Sequence, residues 1–485
     1  MIKKISILAC ILIGLSFFTK GYAQYDVDAL RFSYFGFGGT ARSMAVGGAF
    51  GAAGADLSVL SSNPGGIGLY KSSEFVISPS FYYQNVESLY YGQTSEDIKY
   101  AFNFPGIGVI LNMENKNSSW KNVQFGFGFN KLNDFNQRTE IEGFNHESSL
   151  MTEYMDKANA ESELSFYDTE LANRANLLYF DSLSNQYIVD APAGEINQRK
   201  SIEEKGGINE MTFSFGGNFE DIIYAGMTIG LPIVNYSMTS RHAETDQRDS
   251  INMFRSFALD EEITTIGSGV NFKFGIIARP VKWVRLGGAV HTPTFYSLKE
   301  EYARYMTSRF EDNEFNETNV EASGEFDYRL ITPMKALGDI AIIIGKFGFL
   351  SAEYEYVDYS KAKLSDETNV STPYVRDFKD DNDAIKAKYT EAHNIKFGAE
   401  ANLKPIQIRG GYAIYGSPFA GDINDGERTY YTFGLGLREK QYYVDLAYII
   451  EEYQEDYYLY SPEYVQAANN TYNSNRLVLT LGLRL

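Results

Sequence analysis

Residues 476–485 read RLVLTLGLRL. Leu477, Leu479, Leu481, Leu483 and Leu485 share one parity, and Arg476, Val478, Thr480, Gly482 and Arg484 share the other. An extended chain therefore turns one greasy face and one face with two arginines. The same period of two sets Val123, Phe125, Phe127 and Phe129 against Gln124, Gly126, Gly128 and Asn130. It sets Val270, Phe272, Phe274 and Ile276 against Asn271, Lys273 and Gly275, and Tyr431, Phe433, Leu435 and Leu437 against Thr432, Gly434, Gly436 and Arg438.

Such alternation suits a water-soluble sandwich as well as a membrane barrel, so the connections have to separate the two. Short links near 112–119, 218–221, 280–282, 345–348, 402–405 and 439–440 alternate with longer polar ones near 87–97, 133–207, 241–255, 308–319, 365–389, 416–425 and 456–471. Short turns at one rim and long loops at the other are the plan of an up-and-down outer-membrane barrel. Strands are expected to begin near Glu74, Ile98, Lys121, Ile208, Ile222, Glu262, Trp283, Glu321, Phe349, Ala392, Ile406, Glu427, Gln441 and Tyr472. That makes fourteen, provided that 321–345 is one strand despite Pro333. An even number in a closed ring leaves no unpaired backbone edge in lipid. The expected fold is all-β: a 14-stranded antiparallel transmembrane β-barrel.

Composition agrees. The 485 residues include 37 Tyr, 34 Phe and 43 Gly against 2 Trp and 12 Pro, a mixture suited to glycine-punctuated strands. A formal charge of −20 disfavours phosphate backbones, so no nucleic-acid partner is expected. The single cysteine, Cys10, lies in a leader: Lys3 and Lys4, an apolar run over 5–18, and small residues ending at Ala23. This is the plan of a secretory signal peptide spanning 1–23. Residues 24–73 do not alternate. They carry GTARSMAVGGAFGAAGAD over 39–56 and SSNPGGIGLY over 61–70, small residues that pack tightly inside something larger. A ring of fourteen strands is wider than its own side chains can fill, so this segment is read as an N-terminal plug inside a barrel formed by 74–485.

Catalytic patterns are missing from the sequence. No Gly-x-Ser-x-Gly occurs, and His146, His242, His291 and His393 have no metal-ligand spacing, so neither an enzyme nor a metal or cofactor site is expected. Asp422, Asn424 and Gly426 resemble a calcium-loop fragment but lack the closing glutamate, and are read as an external hairpin loop. His291 has the parity opposite to Leu286 and Val290 and is expected to face the lumen. So are the charges of Lys273, Lys396, Glu400, Arg409, Arg438, Asp445 and Arg484, which could pair across the interior and grip the plug.

Gly47-Gly48-Ala49, Asp56 and Asn63-Pro64, with HTPTFYSLKEEY from His291 and GFLSAEYEYVDYS from Gly348, resemble the FadL-type outer-membrane transporters of long-chain fatty acids and aromatic hydrocarbons. Gly65 stands where that family usually has Ala. The resemblance implies passive uptake of a hydrophobic small molecule by a monomeric barrel in the lipid of a Gram-negative outer membrane. It implies a lumen pocket near Leu30, Phe32, Phe35, Phe37, Asn63, Pro64 and His291. It also implies an external capture groove on Met151, Tyr154, Met155, Leu164, Tyr167 and Leu171, and a lateral opening in the third strand, where Gly126 and Gly128 sit. The helical spacing of the groove residues suits a self-packed loop core equally. Two other roles stay open: a non-transporting surface scaffold that docks exported proteins, and a haem-binding receptor using His291. Leu481→Arg is expected to block assembly and Thr480→Arg to be tolerated.

Overall fold

The computed structural model describes residues 25–36, 38–115, 117–161, 163–189, 195–248, 253–311, 318–366, 377–421 and 423–485. The leader with Cys10, the expected site residue Phe37, and Asp422 of the expected external hairpin loop lie outside them. The alternating segments form strands β1 (Glu74–Tyr90), β2 (Gln93–Glu114), β3 (Trp120–Asp134), β4 (Gln137–Asn145), β5 (Leu178–Asp181), β6 (Gln186–Val189), β7 (Ile196–Phe219), β8 (Ile223–Thr245), β9 (Phe254–Val281) and β10 (Val284–His291). They continue with β11 (Phe295–Phe310), β12 (Thr318–Ile331), β13 (Lys335–Ile343), β14 (Gly348–Asp358), β15 (Lys363–Asp366), β16 (Glu391–Leu403), β17 (Ile406–Tyr415), β18 (Arg428–Arg438), β19 (Tyr442–Tyr457) and β20 (Ala468–Arg484).

All but the small β5–β6 hairpin belong to one antiparallel sheet, which closes where β1 pairs with β20 from Glu74↔Arg484 to Leu89↔Asn469. Four staves of the ring consist of two successive strands each: β3 with β4, β10 with β11, β12 with β13 and β14 with β15. The ring therefore has fourteen staves. Pro333 interrupts the eighth stave but does not divide it, because β13 pairs with β10 and β12 pairs with β11 on the same neighbouring stave.

Parity holds around the ring. Phe433, Leu435 and Leu483 are 56%, 54% and 53% exposed on the outer wall, whereas Thr432 and Thr480 are fully buried inside. The outward band is apolar and ends at the short-turn rim in Trp120, Trp283, Phe347 and Tyr442, the aromatic girdle of a barrel in lipid. At the opposite rim the strands run on with polar outer faces, where Lys299 pairs with Glu301 and Glu325 at 3.0 and 2.9 Å.

Two connections differ from expectation. The stretch 87–97 is not a long polar loop: β1 and β2 continue through it to a two-residue turn at Tyr91 and Gly92, with φ of 46° and 77°. A turn with both central residues left-handed matches strand twist, so charged residues extend the hairpin instead of ending it. The stretch 133–207 opens with β4 paired to the first half of β7, which prolongs the wall before the loop proper begins. That loop contains α3 (Leu150–Ala160) and α4 (Thr169–Arg174), preceded in the chain by α1 (Tyr25–Arg31) and α2 (Ala41–Met44); α5 (Lys379–Lys388) lies in a later loop.

A charge on the outer wall meets the apolar band. Leu481→Arg should cost ~2–4 kcal/mol near the midplane and abolish the heat-modifiable folded form on unboiled gels. Undiminished assembly would overturn the placement of that face.

Candidate functional site

The N-terminal segment packs against inward-facing wall residues at both ends of its described course, through Phe32 and Tyr34 and again through Val46, Phe50, Leu57, Leu60 and Ile67. Its turns are fixed locally. Asp56 caps the 3-10 turn Leu57–Leu60 through the Ser58 N–H, and its two carboxylate oxygens share the Thr40 hydroxyl proton, each 2.8 Å from Oγ1. Asn63 caps the turn Pro64–Leu69 by accepting from Gly65 N–H at 3.0 Å, and its amide donates to Asp339 on β13 at 2.8 Å. Pro64 occupies the first position of that turn, where a missing N–H costs nothing. The motif departure at Gly65 has a steric reason: a methyl group there would stand 3.0 Å from the Ile276 backbone on β9.

Charges hold the segment. Arg42 on α2 makes two bonds to Glu400, at 2.8 and 2.9 Å. Glu400 also accepts from Arg409, which reaches Asp445 at 2.7 Å, and Asp445 accepts from Arg438 at 3.1 Å. Lys273 pairs with Glu210, Lys396 with Glu353 at 2.9 Å, and Arg484 with Glu74 at 3.7 Å. Thr480 accepts the Ala41 N–H at 2.7 Å and meets the Ser78 hydroxyl at 2.8 Å. Thr480→Arg is therefore not a neutral substitution: the position faces inward, but into a filled contact.

Three layers follow one another along the lumen. Nearest the short turns, Val46, Phe50, Leu57, Leu60 and Ile67 form a core with Val76, Ile110, Ala341, Phe349 and Tyr443 of the wall. Nearest the long loops, α1 and the residues after it enter an aromatic cluster. Phe32 is fully buried, edge-on to Phe135 and Tyr236 at 6.1 Å from each, and Tyr34 stacks on Tyr359. Leu30 and Phe35 pack against the same cluster, which includes Tyr296, Tyr328, Phe378 and Tyr415.

Between them lies a cavity of about 100 Å³. Its lining is polar as well as apolar: Phe35, Leu132 and Leu337 alternate with Lys131, Lys273, Lys335, Lys396, Glu210, Glu353 and Glu355. His291 lines it too and contacts the Ser62 carbonyl at 2.6 Å, so this ring clasps the N-terminal segment. Among the described residues no group of three or more His, Cys, Asp or Glu could hold a metal. Thus Leu30, Phe32 and Phe35 meet in the aromatic cluster, while Asn63, Pro64 and His291 serve the layers below it. The aromatics contributed by the wall, Tyr236, Tyr328, Tyr359 and Tyr415, were missed. Each is an inward residue among many tyrosines, and period two alone does not say which of them converge.

The third strand is closed at the glycines expected to open it. Gly126 pairs with Ile110 and Ser214, and Gly128 with Gly108 and Thr212, in continuous ladders. Their missing side chains make room for the N-terminal segment instead: a methyl group at Gly126 would lie 3.0 Å from Leu60 and 3.1 Å from Ile67.

The external residues also turn inward. Met151, Tyr154 and Leu171 are buried, with Met155, Leu164 and Tyr167 packed against them, in a core that includes Tyr90, Phe254 and Phe257. The self-packed alternative is the arrangement seen, rather than an open groove. Burial pushes the Glu153 carboxyl up, although it accepts the Ser461 N–H at 2.8 Å, whereas Glu195 at the surface is held down by its bond to His146.

Removing one partner of a buried ion pair leaves the other uncompensated, at about 3–5 kcal/mol. Glu400→Ala should therefore leave the barrel assembled and make the N-terminal segment cleavable by added protease, with Glu400→Gln intermediate. Equal protection in all three proteins would show that this network does not hold the segment.

No protein-family model matches the sequence, and no curated protein matches it. Solved structures do. A FadL homologue from Pseudomonas aeruginosa aligns over 93% of this chain and 99% of its own, with TM-score 0.57 and 13% identity. The Pseudomonas putida toluene transporter TodX aligns over 93% and 99%, with TM-score 0.55 and 10% identity. The Ralstonia pickettii toluene transporter TbuX aligns over 94% and 100%, with TM-score 0.52 and 13% identity. At these identities the likeness is one of fold, and it extends over nearly the whole chain: this protein has the barrel architecture of the FadL homologue and the toluene transporters.

Proposed function

We propose that the chain is an outer-membrane transport protein for passive uptake of hydrophobic small molecules. Residues 1–23 act as a cleaved signal peptide, 24–73 as a movable plug and 74–485 as the barrel. The observation that carries the reading is the aromatic cluster inside the ring. A lumen built for ions or sugars is polar, whereas here Phe32, Tyr34, Tyr236, Tyr296, Tyr328 and Tyr359 converge near the long loops. The chamber combines these aromatic walls with polar groups that meet the rings, Asp28 at the Tyr328 hydroxyl and Glu204 at the Tyr236 hydroxyl, a composition suited to a small-molecule site. In this structure α1 and the residues that follow fill the chamber, so the segment shields the aromatic surface until cargo competes for it. The solved relatives of the same architecture include toluene transporters, which supports cargo of this class.

A docking role is the second reading. The self-packed external loops and the charged lining of the cavity favour it, since neither offers an apolar molecule a continuous path.

Protein purified in a detergent without an acyl chain should carry a near-stoichiometric hydrophobe by mass spectrometry of its extract, and its intact mass should begin at Gln24. Val234→Asp places an unpaired charge beside the cluster and should lower the recovered hydrophobe about ten-fold. An empty wild-type barrel retaining a protein partner would favour docking instead.

A further inference from the structure

The short-turn rim carries charge of one sign along part of its circumference. The third to sixth short turns, 280–282, 345–348, 402–405 and 439–440, each hold one lysine: Lys282, Lys346, Lys404 and Lys440. All four are exposed, and Glu439 is the only acid in these turns. Among the described residues none of the four has a carboxylate partner. The lumen lysines differ: Lys273, Lys335 and Lys396 each pair with a glutamate. In a chain of formal charge −20, acids were available for this part of the rim and are not placed there. The first two turns are of another kind. Lys121 pairs with Glu220 at 3.7 Å, and Asp221 follows Glu220 in the chain; Lys116 lies outside the described residues.

The neighbours of these lysines fix the depth at which they lie. Trp283 follows Lys282, Phe347 follows Lys346, Leu403 precedes Lys404, and Tyr442 is two residues from Lys440. All four neighbours are exposed at the lower end of the apolar band, Phe347 and Trp283 by 64% and 58%. Aromatic rings in this position sit at the level of lipid headgroups. A lysine beside one lays its stem along the apolar surface and holds its ammonium among the phosphates. Lys346 has this geometry, its Nζ 5.6 Å from the centre of the Phe347 ring.

The four turns are consecutive around the ring, joining staves six and seven, eight and nine, ten and eleven, and twelve and thirteen. Neighbouring strands lie about 4.8 Å apart, so lysines two staves apart are separated by roughly 10 Å, too far to share one phosphate. The arc therefore presents a row of separate cations to the headgroup layer. A zwitterionic headgroup brings its own ammonium and largely neutralises itself; an anionic one leaves its phosphodiester charge for the protein to meet.

We infer that Lys282, Lys346, Lys404 and Lys440 form a binding arc for anionic phospholipid in the leaflet that meets the short turns, each ammonium taking one phosphodiester, while Lys121, already paired, takes none. The inference rests on the barrel's placement in lipid and is independent of any cargo. The chain's two tryptophans report the two sides of the rim, Trp283 on the arc and Trp120 beside Lys121. Trp120→Phe leaves the first as sole reporter, and Trp283→Phe leaves the second. The bilayers are phosphatidylethanolamine with a minor share of phosphatidylglycerol, and either lipid in turn is brominated near the top of its acyl chains to quench fluorescence. The ratio of quenching by the glycerol lipid to quenching by the ethanolamine lipid should be about five-fold higher at Trp283 than at Trp120, the factor that one lysine near an anionic surface supplies. Lys282→Gln, Lys346→Gln, Lys404→Gln and Lys440→Gln together should bring the two ratios level, as should high salt. If that variant does not assemble, Lys282→Gln alone should still lower the ratio at Trp283, its neighbour in the chain. Equal ratios with the lysines in place, or an excess at Trp283 that survives the glutamines, would overturn the inference. So would capture of an acidic soluble protein by the same lysines with no preference between the lipids.

Discussion

Everything in this molecule depends on the requirement that backbone groups in lipid find partners within the protein. Closure of β20 onto β1 meets it for the wall and obliges successive side chains to face lipid and lumen in turn. Charges such as Lys273, Lys396, Arg409 and Asp445 can then point only inward, into a space from which much of the water is displaced. Buried charges must be paired, and the ring alone does not pair them all: Glu400 bonds both Arg409 of the wall and Arg42 of the N-terminal segment. Wall and segment thus complete each other's electrostatics.

The same mutual dependence explains the layering of the lumen. Small residues and tight turns let the segment descend to the narrow apolar core near the short turns. The charged cavity is lined on the segment's side by residues that include Gly36, Gly38 and Gly39. The aromatic cluster forms where α1 re-enters among tyrosines from several staves. The upper layer is held by aromatic packing and by tyrosine hydroxyls bonded to Asp28 and Glu204. The ion network below is directional and costly to break.

Much of this was legible in the sequence because a wall in lipid imposes period two without relief. The outward leucines of β20, the short-turn rim, the fourteen staves and the inward charges all follow from parity and spacing. The motif residues Asp56, Asn63 and Pro64 were legible as a group, and their roles as turn caps are local chemistry. The 87–97 hairpin was misread because polar residues were taken for a loop, whereas beyond the membrane a strand has no reason to be apolar. The third-strand opening was misread because a glycine signals a missing side chain but not what fills its place; here Leu60 and Ile67 fill it.

The sequence by itself determined a closed barrel, the direction each strand residue faces, and an N-terminal segment small enough to pack within. Each follows from a period, a spacing or a local hydrogen bond, and needs no knowledge of distant partners. The tertiary structure alone decided which tyrosines converge, which acids answer which bases, and that Pro293 and Pro333, forty residues apart in sequence, stand side by side in the wall. These depend on register between staves and on the path of the segment inside them. Period two is indifferent to both, since sliding one strand by two residues leaves every face unchanged.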